Sequence, residues 1–227
     1  MRCADRIRCH QIDRTDPRRR CLRAHGKRDE FSARKVILAT GCQDVMPDLA
    51  GLEDAVGCGA IRLCPVCDGY EAIDHDIAVH GPLASAADHA VFIRTFSRRV
   101  AVVPTDDSTD AATRARLADA GIAITGVGRE LSFDGSRCSF LIEGQRRPFD
   151  VVYSMLGTRQ NSGLAISLGA ATDEEGALRV DRDQMTSVPG LYAIGDVVSA
   201  LNQIAVATGH AAIAATHVHN ALPTNLA

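Results

Sequence analysis

The run from residue 76 to residue 103 constrains the fold most. Asp76-Ile77-Ala78-Val79-His80-Gly81-Pro82-Leu83-Ala84-Ser85-Ala86-Ala87-Asp88-His89-Ala90 reads as a strand, a glycine turn and a helix, and the helix pattern continues over residues 91–96. A second apolar strand follows at Arg99-Val100-Ala101-Val102-Val103. Strand, helix and strand at this spacing form a βαβ unit, whose strands lie parallel and are buried on both faces. Composition agrees: 46% of residues are hydrophobic, aromatics are only 4% and Trp is absent, so the core is built from Ala, Val, Ile and Leu. At 227 residues the chain has room for one large domain or two small ones.

The turn of this unit fits a dinucleotide-binding spacing, but its G-x-G-x-x-A pattern is damaged. Gly81 is present as a candidate cofactor contact. Pro82 and Leu83 stand where a free N–H and bare backbone would meet a pyrophosphate. After the second strand come Pro104-Thr105-Asp106-Asp107, with no Arg or Lys for a 2′-phosphate and an acid that would repel one. The site is therefore expected to take NADH, to bind weakly, or to keep the fold without the function.

Just before this unit lies Leu63-Cys64-Pro65-Val66-Cys67-Asp68-Gly69. Two cysteines separated by two residues can close a small disulfide ring, and a thiolate at the start of a helical turn is favoured by unpaired N–H groups. Such a pair makes a reversible dithiol/disulfide couple, and Asp68 beside it is placed to carry a proton. The alternative is a zinc half-site with a turn-forming Asp-Gly. No second C-x-x-C occurs in the chain, and neither Cys58 nor His75 falls at paired zinc spacing, so redox is preferred and no metal is expected.

Elsewhere, residues 1–40 read as short strands, with a turn signal at His25-Gly26-Lys27. Arg34-Lys35-Val36-Ile37-Leu38-Ala39-Thr40-Gly41 is a strand ending at a glycine, which brings backbone close to a ligand over the carboxyl end of a sheet. Residues 130–150 look hairpin-like, and Val151-Val152-Tyr153-Ser154-Met155-Leu156-Gly157 is a strand expected to return to the first lobe. In Ser187-Val188-Pro189-Gly190-Leu191-Tyr192-Ala193-Ile194-Gly195-Asp196 a strand runs straight into Gly-Asp, where a carboxylate can accept sugar-alcohol hydroxyls. An Ala-rich helix begins near Asn202-Gln203 and ends near Asn220; its histidines, His210, His217 and His219, do not share one face and do not suggest a metal.

Net charge is −3, against a general nucleic-acid binder. Residues 1–35 carry twelve Lys/Arg against five Asp/Glu, which reads as a solvated antiparallel ribbon. No apolar run suggests a signal peptide, and nothing approaches the roughly 20 apolar residues of a membrane span. With eight cysteines and no secretion signal, the expectation is a reducing cytoplasm.

The order ATG, CPVCDG, strand-glycine-helix and SVPGLYAIGD, followed by an alanine-rich helix, resembles the low-molecular-weight thioredoxin reductases and their relatives among flavoproteins with two dinucleotide-binding lobes. The likeness runs from about residue 30 to about residue 222. It implies an α/β fold of two nested Rossmann-like, three-layer ββα lobes. Residues 1–42 and 159–227 would form a partial FAD-binding domain, and residues 43–158 a pyridine-nucleotide-binding-like domain carrying the C-x-x-C. By the same resemblance Cys64 and Cys67 form the redox disulfide facing a flavin, with Asp68 as proton donor and acceptor. Gly195 and Asp196 hold the FAD ribityl chain, Gln203 and Ile204 sit against the isoalloxazine, and Thr40 and Gly41 mark the return from the flavin lobe. The family opens with a strand-GxGxxG-helix unit for the FAD pyrophosphate; no glycine precedes Gly26, so the first lobe is expected to be incomplete at its N-terminus and to bind FAD poorly. NADPH or NADH would be the electron source, with a thioredoxin-like protein or a small molecule as disulfide substrate and a homodimer as the assembly. The rivals are a nicotinamide-independent dithiol oxidase and an inactive or zinc-binding remnant. Several such oxidases carry His where this chain has Asp68, which favours the reductase.

Overall fold

A computed structural model describes residues 11–16, 21–26, 30–198 and 201–223. The chain divides into two compact units, Met1–Gln43 with Thr158–Ala227, and Asp44–Gly157. In the first, β1 (Gln11–Asp16), β2 (Cys21–His25) and β3 (Glu30–Ala33) form an antiparallel ribbon. This matches the expected pairing across the turn after His25, although residues 6–10, 18–20 and 27–29 lie outside the described residues. β4 (Val36–Leu38) follows, and then β5 (Cys42–Asp44).

The second unit opens with α1 (Leu52–Gly57), β6 (Ile61–Arg62) and α2 (Pro65–Asp68). Next come β7 (Ile77–Gly81), α3 (Leu83–Ile93), β8 (Val100–Pro104), α4 (Ala111–Asp119) and β9 (Ala123–Ile124). β10 (Arg129–Phe133), β11 (Cys138–Ile142) and β12 (Gln145–Phe149) form a three-stranded antiparallel sheet, one strand more than the expected hairpin. β13 (Val151–Ser154) then enters the parallel sheet, whose strand order is β6-β13-β7-β8-β9. Rather than returning to the first lobe, β13 lies in the interior of this sheet, pairing with Ile61 and Arg62 on one side and residues 77–80 on the other.

Period-two alternation sends successive side chains of this sheet into two separate cores. Ile77, Val79, Val100, Val102, Val151 and Tyr153 pack against Leu83, Ala86, Ala87, Ala90 and Ile93 of α3, the residues that its 3.6-residue period places on one stripe. Ala78, Ala101, Val103 and Val152 face Cys138, Phe140, Ile142 and Phe149 on the opposite side. The unit is thus three layers: antiparallel sheet, parallel sheet, helices.

The chain closes the first unit with β14 (Thr158–Gln160), α5 (Gly163–Ile166), β15 (Leu191–Ala193) and α6 (Ile204–Ala221). β14 pairs with β5, and β15 lies parallel to β4. Their core joins Leu22 and Leu38 to Ala165, Leu178, Val188, Leu191, Ala193 and Val197. Among the described residues no helix is long and apolar enough to cross a membrane.

Candidate active site

Cys64 leaves the end of β6 in extended conformation and caps α2, with Pro65 at the first helical position, where a missing N–H costs nothing. The N–H groups of Cys67 and Asp68 donate to the Cys64 carbonyl at 2.9 and 3.3 Å, folding the motif into a single turn. The two Cα atoms stand 5.3 Å apart and the sulfurs are joined in a disulfide. Val66 is 64% and Tyr70 78% exposed, so apolar surface flanks the disulfide and suits a partner molecule.

Asp68 is held through both carboxylate oxygens. The Tyr153 hydroxyl donates to Oδ1 at 2.8 Å, and Arg62 Nη1 lies 3.3 Å from Oδ2. Tyr153 is completely buried, and burial together with the neighbouring carboxylate pushes its phenol far up, so it stays protonated and donates. Arg62 Nη1 also reaches the Asp68 carbonyl at 3.2 Å and Glu71 Oε2 at 3.0 Å. Burial works against the charge of Arg62, but its bond to Glu71 and the Asp68 carboxylate outweigh this and raise its pKa. The Arg62 side chain is 13% exposed, whereas that of Glu71 is 70%, so solvent screens the Glu71 contact far more than the Asp68 contact. A pocket of about 400 Å³ opens here, lined by Cys58, Arg62, Leu63, Cys64, Asp68 and Glu71 among others. A carboxylate beside a disulfide can take a proton from an attacking thiol and return it to the departing sulfur. Among the described residues no three His, Cys, Asp or Glu side chains group as metal ligands.

Gly81, by contrast, sits at a packing contact. A Cβ there would lie 2.3 Å from the Met155 carbonyl oxygen, where β7 passes the chain leaving β13. At the start of α3, Pro82 contributes no N–H, and the Leu83 N–H donates to Asp106 Oδ2 at 3.4 Å while Asp106 Oδ1 accepts the Ser108 N–H at 2.9 Å. The chain's own carboxylate occupies the place at the helix start where a phosphate would sit.

In the first unit, Gly195 adopts φ +70°, and its N–H donates to His210 Nδ1 at 3.3 Å. A Cβ on Gly195 would stand 3.4 Å from the Ala207 Cβ, so the Gly-Asp turn packs closely on α6. Asp196 is half-buried, and its carboxylate makes no hydrogen bond with another described residue. Gln203 caps α6 without a side-chain bond to the helix, and Ile204 at its first position is 85% exposed. Thr40 is tied inward: its hydroxyl donates to the Asn161 carbonyl at 2.8 Å, and Asn161 Nδ2 donates to the Thr40 carbonyl at 2.9 Å. Gly41, at φ +66°, accepts the Asn161 N–H. His217 packs its ring against Tyr192, 5.7 Å between centroids.

Sequence reasoning missed Arg62, Tyr153 and Asn161, and took Asp106 as a repelling charge rather than a cap. Only Tyr153 left a signal, a ring with a polar tip directly after the apolar pair Val151-Val152, since a buried phenol usually finds a partner.

Comparison with known proteins bears on this arrangement directly. Residues 4–211 match the family described as pyridine nucleotide-disulphide oxidoreductase. The thioredoxin reductase of Listeria innocua is 28% identical over 204 residues, covering 81% of this chain and 61% of that protein. That of Mycolicibacterium smegmatis is 30% identical over 182 residues, covering 75% of this chain and 58% of the other. The chain thus spans about three fifths of the length of these relatives. Among solved structures, the thioredoxin reductase of Streptococcus pyogenes superposes with a TM-score of 0.82 at 26% identity, covering 94% of this chain and 72% of that one. With the parallel sheet, the C-x-x-C-Asp turn and the Gly-Asp strand end all inside the matched span, the chain belongs to the pyridine nucleotide-disulphide oxidoreductase family.

Proposed function

We propose that this chain carries the chemistry of an FAD-dependent disulfide oxidoreductase, in which the flavin exchanges electrons with the Cys64–Cys67 couple and a second disulfide completes the transfer. The observation that carries this reading is the closed Cys64–Cys67 disulfide with the doubly held Asp68 carboxylate in the same turn. Asp68 is the proton carrier in it. The substrate is a thioredoxin-like protein disulfide or a small-molecule disulfide; the names of the relatives and the apolar surface at Val66 and Tyr70 support the former. The assembly is a cytoplasmic homodimer on this reading, supported by the family resemblance and by cysteine usage.

FAD fits the residues of the first unit. Asp196 has an uncommitted carboxylate suited to sugar-alcohol hydroxyls. The open first turn of α6, with Gln203 and exposed Ile204, suits the polar edge and apolar face of a flat ring. Thr40 and Gly41 offer backbone N–H groups after β4, since the Thr40 hydroxyl and both carbonyls are already bonded to Asn161. When bound, the flavin supplies two-electron chemistry to the sulfur pair.

A nicotinamide dinucleotide does not fit the start of α3. Pro82 lacks the N–H, Asp106 holds the one on Leu83, and Gly81 is required for packing. This favours a second reading, a nicotinamide-independent dithiol oxidase, in which a substrate dithiol reduces Cys64–Cys67 and the flavin passes electrons to oxygen.

The deciding experiment is a visible spectrum of the purified chain with added FAD. A flavin band that bleaches anaerobically with dithiol is the expected result; bleaching by dithiol but by neither NADH nor NADPH would select the oxidase reading. Bleaching by either nicotinamide would select the reductase reading. Failure to bind flavin at any concentration would leave the disulfide without its electron partner and end the proposal.

A further inference from the structure

Arg62 and Tyr153 are direct cross-strand partners: β13 and β6 run parallel with Tyr153 in register with Arg62, at the carboxyl end of the sheet. Their side chains converge on one carboxylate, with Tyr153 on Oδ1 of Asp68 and Arg62 on Oδ2. A carboxylate gripped through only one oxygen can still swing about its side-chain bonds, whereas one gripped through both cannot. The grip starts from the interior of the sheet, because Tyr153 is fully buried and its hydroxyl donates to Asp68. Arg62 is itself fixed, its Nε donating to the Gly59 carbonyl at 3.2 Å and its Nη1 to the Asp68 carbonyl. The charged or titratable groups facing Asp68 are therefore Arg62 from β6, Tyr153 from β13 and, through Arg62, Glu71 from the turn after α2.

We propose that Arg62 and Tyr153 are positioning residues that hold the Asp68 carboxylate as proton carrier for the Cys64–Cys67 couple. This rests on the reading of that couple as redox-active. The step balances without a further reactant when a dithiol is the reductant. One substrate sulfur attacks a sulfur of the disulfide, the S–S bond breaks, and its electron pair leaves on the other cysteine. Asp68 accepts the proton of the attacking thiol and delivers it to that departing thiolate. The second substrate thiol then displaces the mixed disulfide, its proton passing to the cysteine released. The dithiol becomes a disulfide, and Cys64 and Cys67 become two thiols. Losing either contact leaves one carboxylate oxygen unheld, so the proton-accepting oxygen is no longer fixed relative to the sulfurs.

The test uses the whole chain with dithiothreitol as reductant, following Cys64–Cys67 reduction by thiol trapping between pH 5 and pH 9. Asp68→Asn is expected to slow reduction by about 100-fold or more at the optimum, in the range of general acid–base catalysis. Tyr153→Phe, which keeps the ring and its packing, and Arg62→Met are each expected to slow it by about tenfold. Arg62→Lys, which keeps a cation beside Oδ2, is expected to recover part of the rate lost in Arg62→Met, which a merely structural role for the arginine would not produce. Thermal melts of each variant establish that it is folded. If wild type is reduced reversibly and Asp68→Asn is slow, but folded Tyr153→Phe and Arg62→Met superimpose on wild type, the positioning role is overturned and the redox reading stands. If dithiothreitol cannot reduce the wild-type disulfide at all, the redox reading falls and takes this role with it.

Discussion

A methyl group on Gly81 would stand 2.3 Å from a backbone oxygen and 3.2 Å from the Met155 Cβ, and neither strand can move aside without breaking the Met155 N–H bond to the His80 carbonyl. Gly81→Ala is accordingly expected to cost about 1–3 kcal/mol, read as a lowered midpoint in denaturant with or without any nucleotide. A glycine-sensitive stability with no nucleotide dependence would mark this position as packing. The neighbouring His80 adds a pH-dependent contribution. It is buried, its Nδ1 lies 2.9 Å from the Val103 carbonyl, and its ring packs on Phe140. Burial lowers its pKa below the ordinary 6.5, outweighing the bond to Val103. As pH falls below about 6.5 the unfolded chain takes up this proton before the folded chain does, so stability contributed by neutral His80 is full above that value and is lost towards the folded-state pKa. Melts of wild type and His80→Gln across pH 4.5–7.5 should show a steeper acid-side loss in wild type. Equal slopes would remove His80 as the cause.

At the scale of elements, β7, α3 and β8 were legible because both faces of the strands are buried, which leaves continuous apolar runs, and because one stripe of α3 is Ala-rich. β13 was legible as a strand but not in its place, since its partners lie more than 70 positions earlier and no local pattern encodes that pairing. For the same reason the contact between Tyr153 and Asp68, 85 residues apart, left no trace in spacing. α1 and α5, with six and four residues, are too short for a 3.6-residue period to declare itself. The turn of Cys64–Asp68 was readable because every group in it is local. Asp106 illustrates the difference between charge and geometry: an acid after β8 was visible, but its reach back to α3 depends on the loop fold. Asp106→Ala removes acceptors from two N–H groups, and a loss of about 0.5–2 kcal/mol in unfolding free energy is expected. No loss would mean that the helix start is satisfied by water, and the case against a pyrophosphate there would weaken with it.

The two largest cores lie wholly within Asp44–Gly157, one on each face of the parallel sheet, and neither draws a residue from outside that segment. The third core lies wholly in the other unit and needs chain from both sides of the insertion, from Leu22 to Val197. Continuity therefore differs between the units: one is a single uninterrupted segment with a parallel sheet covered on both faces, the other must close over a long intervening chain before its core exists. An excised segment of residues 44–157 is expected to fold alone, melting cooperatively and retaining the Cys64–Cys67 pair in reducible form. Circular dichroism and thiol trapping on that segment read both properties. A segment that melts without cooperativity would show that the sheet depends on the other unit, and the disulfide chemistry could then not be assigned to this unit by itself. A cooperative segment whose disulfide reduces with the pH profile of the whole chain would locate Asp68, Arg62 and Tyr153 as its complete proton machinery, since all three belong to this one stretch.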